Sequence, residues 1–166
     1  MDWYGLLWSE MITFVSIARM NRDIANLAAR VPPDVDVIVG IPRDGLLIAT
    51  LLALRLDVAL ADISGFCEGR LLSDSWREPR TYSSCRSALV IDDVTKTGLS
   101  MSEARDRVID AGITIPVRYT VLYCTDGDPV ESLDIAPVKL GSPRCYEWRL
   151  TSHNLSMYAM DMDGVL

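Results

Sequence analysis

The sequence feature that most constrains the fold is the stretch over residues 87–102, which reads S-A-L-V-I-D-D-V-T-K-T-G-L-S-M-S. Residues 88–91 are all apolar, a pattern typical of a strand buried on both faces of a parallel sheet. Two adjacent carboxylates, Asp92 and Asp93, follow, and a run of Thr, Lys, Gly and Ser then opens a helical pattern. The stretch therefore predicts a strand, a loop and the start of a helix.

Each part of this stretch has a chemical use. In open α/β sheets, ligands bind beyond the carboxyl ends of the strands, where we expect Asp92 and Asp93 to offer oxygens to sugar hydroxyls or Mg²⁺. The loop that follows can hold a phosphate dianion through hydroxyls, a flexible glycine and the free N–H groups of the coming helix. A ligand that carries a diol beside a phosphorylated CH₂, such as ribose 5-phosphate, would satisfy both parts.

Residues 88–100 resemble the 5-phosphoribosyl-1-pyrophosphate (PRPP) signature of type I phosphoribosyltransferases, a strand followed by two acidic residues and a T-G-x-[ST] loop. The resemblance implies that Asp92 and Asp93 hold the ribose 2- and 3-hydroxyls and that both are ligands of Mg²⁺, the expected cofactor. It also implies a 5-phosphate loop of six residues: Thr95, Lys96, Thr97, Gly98, Leu99 and Ser100. The alternative is an ordinary strand end with solvated carboxylates and an N-cap threonine.

The remaining hydrophobic pattern predicts an α/β domain. We expect strands over residues 37–39, 58–63, 116–124 and 138–140, with helices over residues 9–30, 45–56 and 101–111. Ser9 is the predicted N-cap of the first helix, and Gly112 follows the last one. This order predicts a mostly parallel central sheet flanked by helices, and the resemblance implies a type I phosphoribosyltransferase-like fold with a mobile lid loop and a small hood.

The loop after the strand over residues 37–39 is the second candidate binding loop. The resemblance implies that it grips pyrophosphate, often around a non-proline cis peptide, through Arg43, Asp44 and Gly45. Asp44 replaces the family's usual glycine, and a carboxylate beside pyrophosphate is unfavourable without another task. Three alternatives stay open for Asp44: a general base for the acceptor, a ligand in the Mg²⁺ shell, or the N-cap of the next helix. The predicted catalytic residues are Arg43, Asp44, Asp92 and Asp93.

Two further segments match parts of the family. Residues 65–86 are polar with weak periodicity, which predicts a lid over the reactants, although a solvated loop is the alternative. Its arginines could carry charge to the pyrophosphate: Arg70, Arg77, Arg80 and Arg86. Residues 144–148 fall where the family places a hood over the acceptor, so Tyr146, Glu147 and Trp148 are the predicted acceptor-binding residues. The alternative for the aromatic pair is a satellite of the core.

Composition excludes several classes of protein. The 166 residues favour one domain, and a net charge of −7 opposes nonspecific nucleic-acid binding. No apolar run approaches the roughly 20 residues of a membrane span, and the N-terminus lacks a secretory signal, so we expect a cytoplasmic protein. The cysteines form no CxxC pair, which disfavours zinc ligation and a disulfide framework: Cys67, Cys85, Cys124 and Cys145.

The last residues suggest a second domain. They read Y-A-M-D-M-D-G-V-L, and D-x-D-G-V resembles the first motif of haloacid-dehalogenase-type phosphatases, with Asp161 as nucleophile and Asp163 handling protons. No other part of such an enzyme follows, so neither residue is expected to be catalytic in this chain. We therefore predict a phosphoribosyltransferase domain over residues 1–155, and a linker with the first strand of a truncated phosphatase-like domain over residues 156–166. A chance match is the alternative.

The acceptor is predicted from departures from the family. Lys96 stands where purine-salvage members usually carry an acid, and residues 65–86 lack the lysine that is usual in orotate-type members. A fused phosphatase would remove the transferred 5-phosphate. We therefore predict a PRPP-dependent glycosyltransferase that places ribose 5-phosphate on a glycan hydroxyl and releases pyrophosphate, as in ribofuranosylation during polysaccharide biosynthesis. Nucleobase salvage and a noncatalytic PRPP-sensing regulator are the alternatives, and a homodimer stays open.

Overall fold

The computed structural model describes residues 13–72 and 82–149. Its helices are α1 (Ile17–Ala28), α2 (Asp44–Leu56), α3 (Ile63–Cys67) and α4 (Leu99–Asp110). Its strands are β1 (Thr13–Val15), β2 (Val35–Gly40), β3 (Ala59–Asp62), β4 (Ser87–Val94), β5 (Val117–Cys124), β6 (Val138–Lys139) and β7 (Arg144–Tyr146). Five of the strands form one parallel sheet in the order β3-β2-β4-β5-β6, while β1 and β7 form a separate parallel pair. The predicted α/β architecture is confirmed.

Strand β4 lies at the centre of the sheet, and its alternate residues face two different hydrophobic clusters. Leu89 and Ile91 pack in the cluster that contains the buried residues of α1 and α2. Ala88 and Val90 belong to the cluster of α3 and α4. Because both faces of the strand are covered, the continuous apolar run of the sequence is the pattern that a central parallel strand requires.

The first helix begins later than its sequence pattern predicts. Residues 13–15 form β1, which pairs with β7 near the other end of the chain, and Val15 is fully buried there. Ser16 is the N-cap of α1, and its Oγ accepts the N–H of Arg19 at 3.1 Å. The expected helix start was therefore wrong, because pairing with a distant strand fixes residues 13–15 in an extended conformation. Ser9 lies outside the described residues.

The predicted lid is shorter than expected at both ends. Helix α3 takes up its beginning, Phe66 is fully buried, and the N–H of Leu72 donates to the carbonyl of Leu60 at 2.7 Å. At its other end, Arg86 pairs with Asp36 at 2.9 Å, on the amino side of the sheet. This position contradicts a role for Arg86 at the pyrophosphate. Residues 73–81 lie outside the described part of the chain, and Arg77 and Arg80 lie with them.

Other expectations have mixed outcomes. No disulfide joins the four cysteines, all of which lie in the described residues: Cys67, Cys85, Cys124 and Cys145. Among the described residues, none of the helices has the length and apolar character needed to cross a membrane. The phosphatase-like motif with Asp161 and Asp163 falls outside the described residues, so the division at residue 155 stays a prediction.

Candidate functional site

The two predicted binding loops meet at one cavity beside the carboxyl ends of β2 and β4. The cavity has a volume of about 380 Å³. Its lining includes Arg43 and Asp44 from the loop before α2, the acidic pair of β4, and the turn that leads into α4. Every predicted residue of the acidic pair and the phosphate loop lines it: Asp92, Asp93, Thr95, Lys96, Thr97, Gly98, Leu99 and Ser100. Arg149, which has no place among the sequence-predicted site residues, lines it as well.

Gly45 lets the two loops approach each other closely. A Cβ atom built on Gly45 would lie 2.7 Å from Asp92 Oδ1, 2.9 Å from Asp92 Cα and 2.9 Å from the carbonyl oxygen of Ile91. Two of these three atoms belong to the backbone of β4, which cannot move aside as a flexible side chain does. Glycine at this position therefore holds the start of α2 directly against the acidic end of β4.

The loop before α2 contains a cis peptide between Pro42 and Arg43. Arg43 occupies the N-cap position of α2, and Asp44 is the first residue of the helix, so the helix-cap alternative for Asp44 is wrong by one position. Arg43 Nε donates to Asp44 Oδ1 at 2.9 Å, while 84% of the Arg43 side chain is exposed. The free part of this guanidinium is available to an anion in the cavity.

Arg149 bridges the two loops. Its Nε lies 2.6 Å from Asp44 Oδ2, and its Nη2 lies 2.9 Å from Asp93 Oδ2 and 3.0 Å from Asp93 Oδ1. Asp44 therefore has one guanidinium at each carboxylate oxygen. Burial alone would raise the pKa of Asp44, but the hydrogen bond from Arg43 and the charge of Arg149 outweigh it and hold that pKa below the usual range. A low pKa makes Asp44 a weak general base.

The acidic pair lies within β4, whereas the sequence pattern placed it beyond the strand end. Asp92 Oδ1 lies against Gly45 and accepts the N–H of Asp93 at 2.8 Å, whereas the Asp93 carboxylate contacts Trp148 and Arg149. Burial and the neighbouring charge of Asp93 raise the pKa of Asp92 to about 7. Burial also raises the pKa of Asp93, and the charge of Arg149 opposes that rise. The two carboxylates are therefore chemically distinct, although the sequence presents them as equals.

The phosphate loop has the geometry of an anion site at a helix start. Gly98 has a φ of 75°, a left-handed conformation that favours glycine, and it is the N-cap residue of α4. The N–H groups of the first helical turn lack intrahelical partners, so they are available to a phosphate. Thr95 is buried, whereas Lys96, Thr97, Leu99 and Ser100 are exposed. A phosphate bound here would meet backbone donors, hydroxyls and one ammonium group.

The predicted hood residues have structural partners. Tyr146 is buried and packs against Trp148 and Tyr123, with ring centroids 4.8 Å and 5.9 Å away. Glu147 Oε2 accepts the N–H of Ile17 at 2.5 Å, at the start of α1. Trp148 Nε1 donates to Asp93 Oδ2 at 3.3 Å. Of the described residues that line the cavity, none is Tyr146, Glu147 or Trp148, and their acceptor-binding role stays a prediction.

The donor atoms in the cavity suit Mg²⁺ bound together with a phosphate ligand. Within residues 13–72 and 82–149, no group of three or more His, Cys, Asp or Glu side chains is placed to hold a metal. Mg²⁺ needs no such cage, since it is usually held by one or two carboxylates, substrate phosphates and water. Asp92 and Asp93 supply hard oxygen ligands of this kind, and Arg149 engages both oxygens of Asp93.

The chain resembles solved phosphoribosyltransferases in structure. A purine phosphoribosyltransferase from Pyrococcus horikoshii superimposes with a TM-score of 0.56 at 19% identity, covering 82% of this chain and 92% of the other. The xanthine-guanine-hypoxanthine phosphoribosyltransferase of Helicobacter pylori gives 0.61 at 14% identity, covering 89% and 100%. A hypothetical protein from Neisseria gonorrhoeae with bound ppGpp gives 0.56 at 15% identity, covering 93% and 94%.

Sequence comparison adds no relative, since no protein family and no curated protein matches the chain. At identities this low, structural likeness shows the fold alone. The fold is that of the type I phosphoribosyltransferases, with the parallel five-stranded sheet and flanking helices on which the signature strand and both cavity loops are built.

Proposed function

We propose that this protein is a PRPP-dependent phosphoribosyltransferase, which moves ribose 5-phosphate from PRPP to an acceptor and releases pyrophosphate. The observation that carries the proposal is the meeting of Arg43 and Asp44 with the acidic pair and the phosphate loop at one cavity. These groups come from two separate strand–loop–helix units. Together they offer one ligand an anion site, a pair of diol acceptors and a second cationic loop.

Different residues bind different parts of PRPP in this proposal. The turn before α4 holds the 5-phosphate through its N–H groups and hydroxyls, and Asp92 and Asp93 accept hydrogen bonds from the ribose hydroxyls. Arg43 reaches the pyrophosphate with its exposed guanidinium. Mg²⁺, held by Asp92 and Asp93 when bound, would supply positive charge to the leaving pyrophosphate. The chain itself fixes the anomeric carbon between the two loops, so positioning supplies much of the rate enhancement.

For the acceptor, we propose a sugar hydroxyl of a glycan, and the support for it comes from the sequence. Lys96 is exposed on the cavity lining, where an acid would serve a purine ring proton. In a longer protein, a phosphatase-like domain after residue 155 would leave ribofuranose on the product. A nucleobase is the second candidate acceptor, and its support is that two of the structurally similar proteins are named as purine phosphoribosyltransferases.

The test is pyrophosphate release from PRPP and Mg²⁺ with two acceptor panels, nucleobases and short glycosides, with mass analysis of the products. A glycoside that gains one ribosyl phosphate would establish the glycan reading, and turnover with a nucleobase alone would replace it with salvage. Arg43→Gln should lower turnover by about 100-fold, the scale of one charge-assisted contact in the transition state. The matched control is Arg86→Gln, which removes the same charge on the amino side of the sheet.

No pyrophosphate release with either panel would contradict the proposed transferase activity. Calorimetric titration of the protein with PRPP would then test the remaining alternative, a noncatalytic PRPP sensor. PRPP binding without turnover would favour a noncatalytic sensor, and an absence of binding would remove PRPP as the ligand.

A further inference from the structure

Arg149 occupies the position at which a ligand of Asp93 must arrive. Asp93 lines the cavity, yet only 2% of its side chain is exposed. Arg149 Nη2 lies within 3.0 Å of both its oxygens, and Trp148 donates to one of them from the other side. Arg149 therefore occupies acceptor sites of Asp93 that a ribose hydroxyl or a cation would otherwise use.

The residues before Arg149 are held by packing and hydrogen bonds, whereas its guanidinium is held by ion pairs with Asp44 and Asp93. Tyr146 is buried in an aromatic cluster, Glu147 holds the start of α1, and Trp148 stacks on Tyr123 with centroids 6.2 Å apart. In contrast, 35% of the Arg149 side chain is exposed. We expect its guanidinium to leave the carboxylates by rotation of the side chain.

Removal of Arg149 would leave two carboxylates without their shared counter-ion. Asp44 and Asp93 have 13% and 2% of their side chains exposed, so both carboxylates would lose a shared counter-ion in a poorly hydrated place. Uncompensated buried charge is unfavourable, and a divalent cation is the available group that restores neutrality. Arg43 donates a hydrogen bond to Asp44 Oδ1, and it acts on Asp93 through its charge alone.

We propose that Arg149 is a displaceable internal counter-ion, which closes Asp93 and ties it to Asp44 until a divalent cation takes its place. The inference rests on the proposed function, because it takes the cation of a PRPP-dependent enzyme as the ligand of Asp93. Arg149 is a positioning residue in this scheme. It holds the start of α2 and the end of β4 together, through Asp44 and Asp93, while the cavity holds no ligand.

The test measures Mn²⁺ binding to the protein in the absence of PRPP, by loss of the hydrated-ion signal in electron paramagnetic resonance. Arg149→Gln should bind Mn²⁺ at least about tenfold more tightly than the parent, on the scale of a charge-assisted contact. Arg149→Lys should fall between them, since an ammonium keeps the charge but cannot bridge both carboxylates. Arg86→Gln is the control for net charge and should bind as the parent does.

A second measurement separates displacement from a purely structural role. Without Mn²⁺, Arg149→Gln should unfold at a lower temperature than the parent, and saturating Mn²⁺ should close the gap. The double variant Arg149→Gln with Asp93→Asn should return to weak binding, because the freed carboxylate is gone. Equal Mn²⁺ affinity in the parent and Arg149→Gln, or tight binding that persists in the double variant, would overturn the proposal.

This outcome is independent of the transferase assay. If Arg149→Gln binds Mn²⁺ more tightly but the parent shows no turnover, the counter-ion proposal holds and the transferase activity is rejected. If the parent shows turnover but Arg149→Gln binds Mn²⁺ no more tightly, the transferase activity holds and the counter-ion proposal is rejected.

Discussion

The two ends of the central sheet use the same chemical groups in different ways. At the amino end, Arg118 donates to Asp34 at 3.0 Å and to Ser87 at 2.8 Å. Beside it, Arg86 contacts Asp36 through two nitrogens. These side chains are partly hydrated, and exposed ion pairs of this kind contribute only about 0–1 kcal/mol each.

At the carboxyl end, the corresponding pairing is buried and incomplete. Arg149 serves both Asp44 and Asp93, whose side chains are 13% and 2% exposed. The pKa of Asp92 is raised to about 7, whereas the pKa of Asp34 at the amino end is lowered. One end of the sheet is electrostatically satisfied by its own side chains, and the other keeps carboxylates whose ionised form a ligand can stabilise. On this difference we base the proposal that the carboxyl end is the binding region and the amino end a stabilising one.

The largest expected effect comes from Gly45→Ala at the carboxyl end. The new Cβ would meet the backbone of β4, so we expect a loss of about 2 kcal/mol in the free energy of unfolding. The displaced loop should lower kcat/KM by about 100-fold, as a shift of about 1 Å can do. Urea unfolding and steady-state kinetics check both. The control is Gly112→Ala, where a φ of 65° is strained but no atom lies within 4 Å; unchanged kinetics are expected there.

A second comparison sets Asp93→Asn against Asp34→Asn. Asp93→Asn removes one charge from the cavity and should lower kcat/KM by about 100-fold through weaker hydrogen bonds to the ribose. Arg149 keeps Asp44 as a partner in this variant, so its guanidinium is not left unpaired. Asp34→Asn should leave the kinetics unchanged. Equal kinetic losses in the two variants would contradict the assignment of binding to the carboxyl end alone.

The third prediction concerns pH. Burial and the charge of Asp93 raise the folded-state pKa of Asp92 to about 7, above the value of about 3.9 expected after unfolding. Between these pKa values the folded state keeps a proton that the unfolded state has lost. The contribution of Asp92 to stability is therefore complete below pH 4 and falls as the pH rises through 7. Asp92→Asn should remove this fall, and its Oδ1 can still accept the N–H of Asp93.

Urea unfolding midpoints of the ligand-free protein at pH 5 and pH 8 measure this effect. The stabilisation of Asp92→Asn relative to the parent should be larger at pH 8. Asp34→Asn should instead lower the midpoint equally at both pH values, because the pKa of Asp34 lies below its usual 3.8 and the group is ionised throughout this range. Burial acts to raise the pKa of Asp34, but the hydrogen bonds from Arg118 and Ser87 outweigh it and lower that pKa. If the midpoints of both variants, relative to the parent, changed equally between pH 5 and pH 8, the two ends of the sheet would not differ in the pKa values of their carboxyls.

The smallest effect is expected for Arg86→Gln. Its side chain is 63% exposed, so the ion pair with Asp36 should contribute little to stability, and less with added salt. Turnover should stay unchanged, and unfolding at low and high ionic strength checks the stability difference. A loss of turnover in this variant would bring the amino end into the functional site.

Local sequence signals were enough to predict the central strand–loop–helix unit of this protein. The apolar run before Asp92, the turn chemistry around Gly98 and the helical pattern after it are local signals, and each predicts the element that forms. The same is true of the unit that ends at Gly45, because a strand–loop–helix step requires only neighbouring residues. Since the carboxyl ends of parallel strands meet at one edge, the two loops were expected at a common site, and they line one cavity.

Which charges meet in that cavity depends on contacts between distant parts of the chain. Arg149 follows the predicted hood residues, and nothing in its neighbours indicates a contact with Asp44 or Asp93. The pairing of β1 with β7 likewise overrode the helical pattern before Ser16. These contacts join residues that are far apart in the chain, so they depend on how the elements pack and leave no local periodicity. Local patterns fix the elements, whereas the burial and pairing of charges are set by the folded chain as a whole.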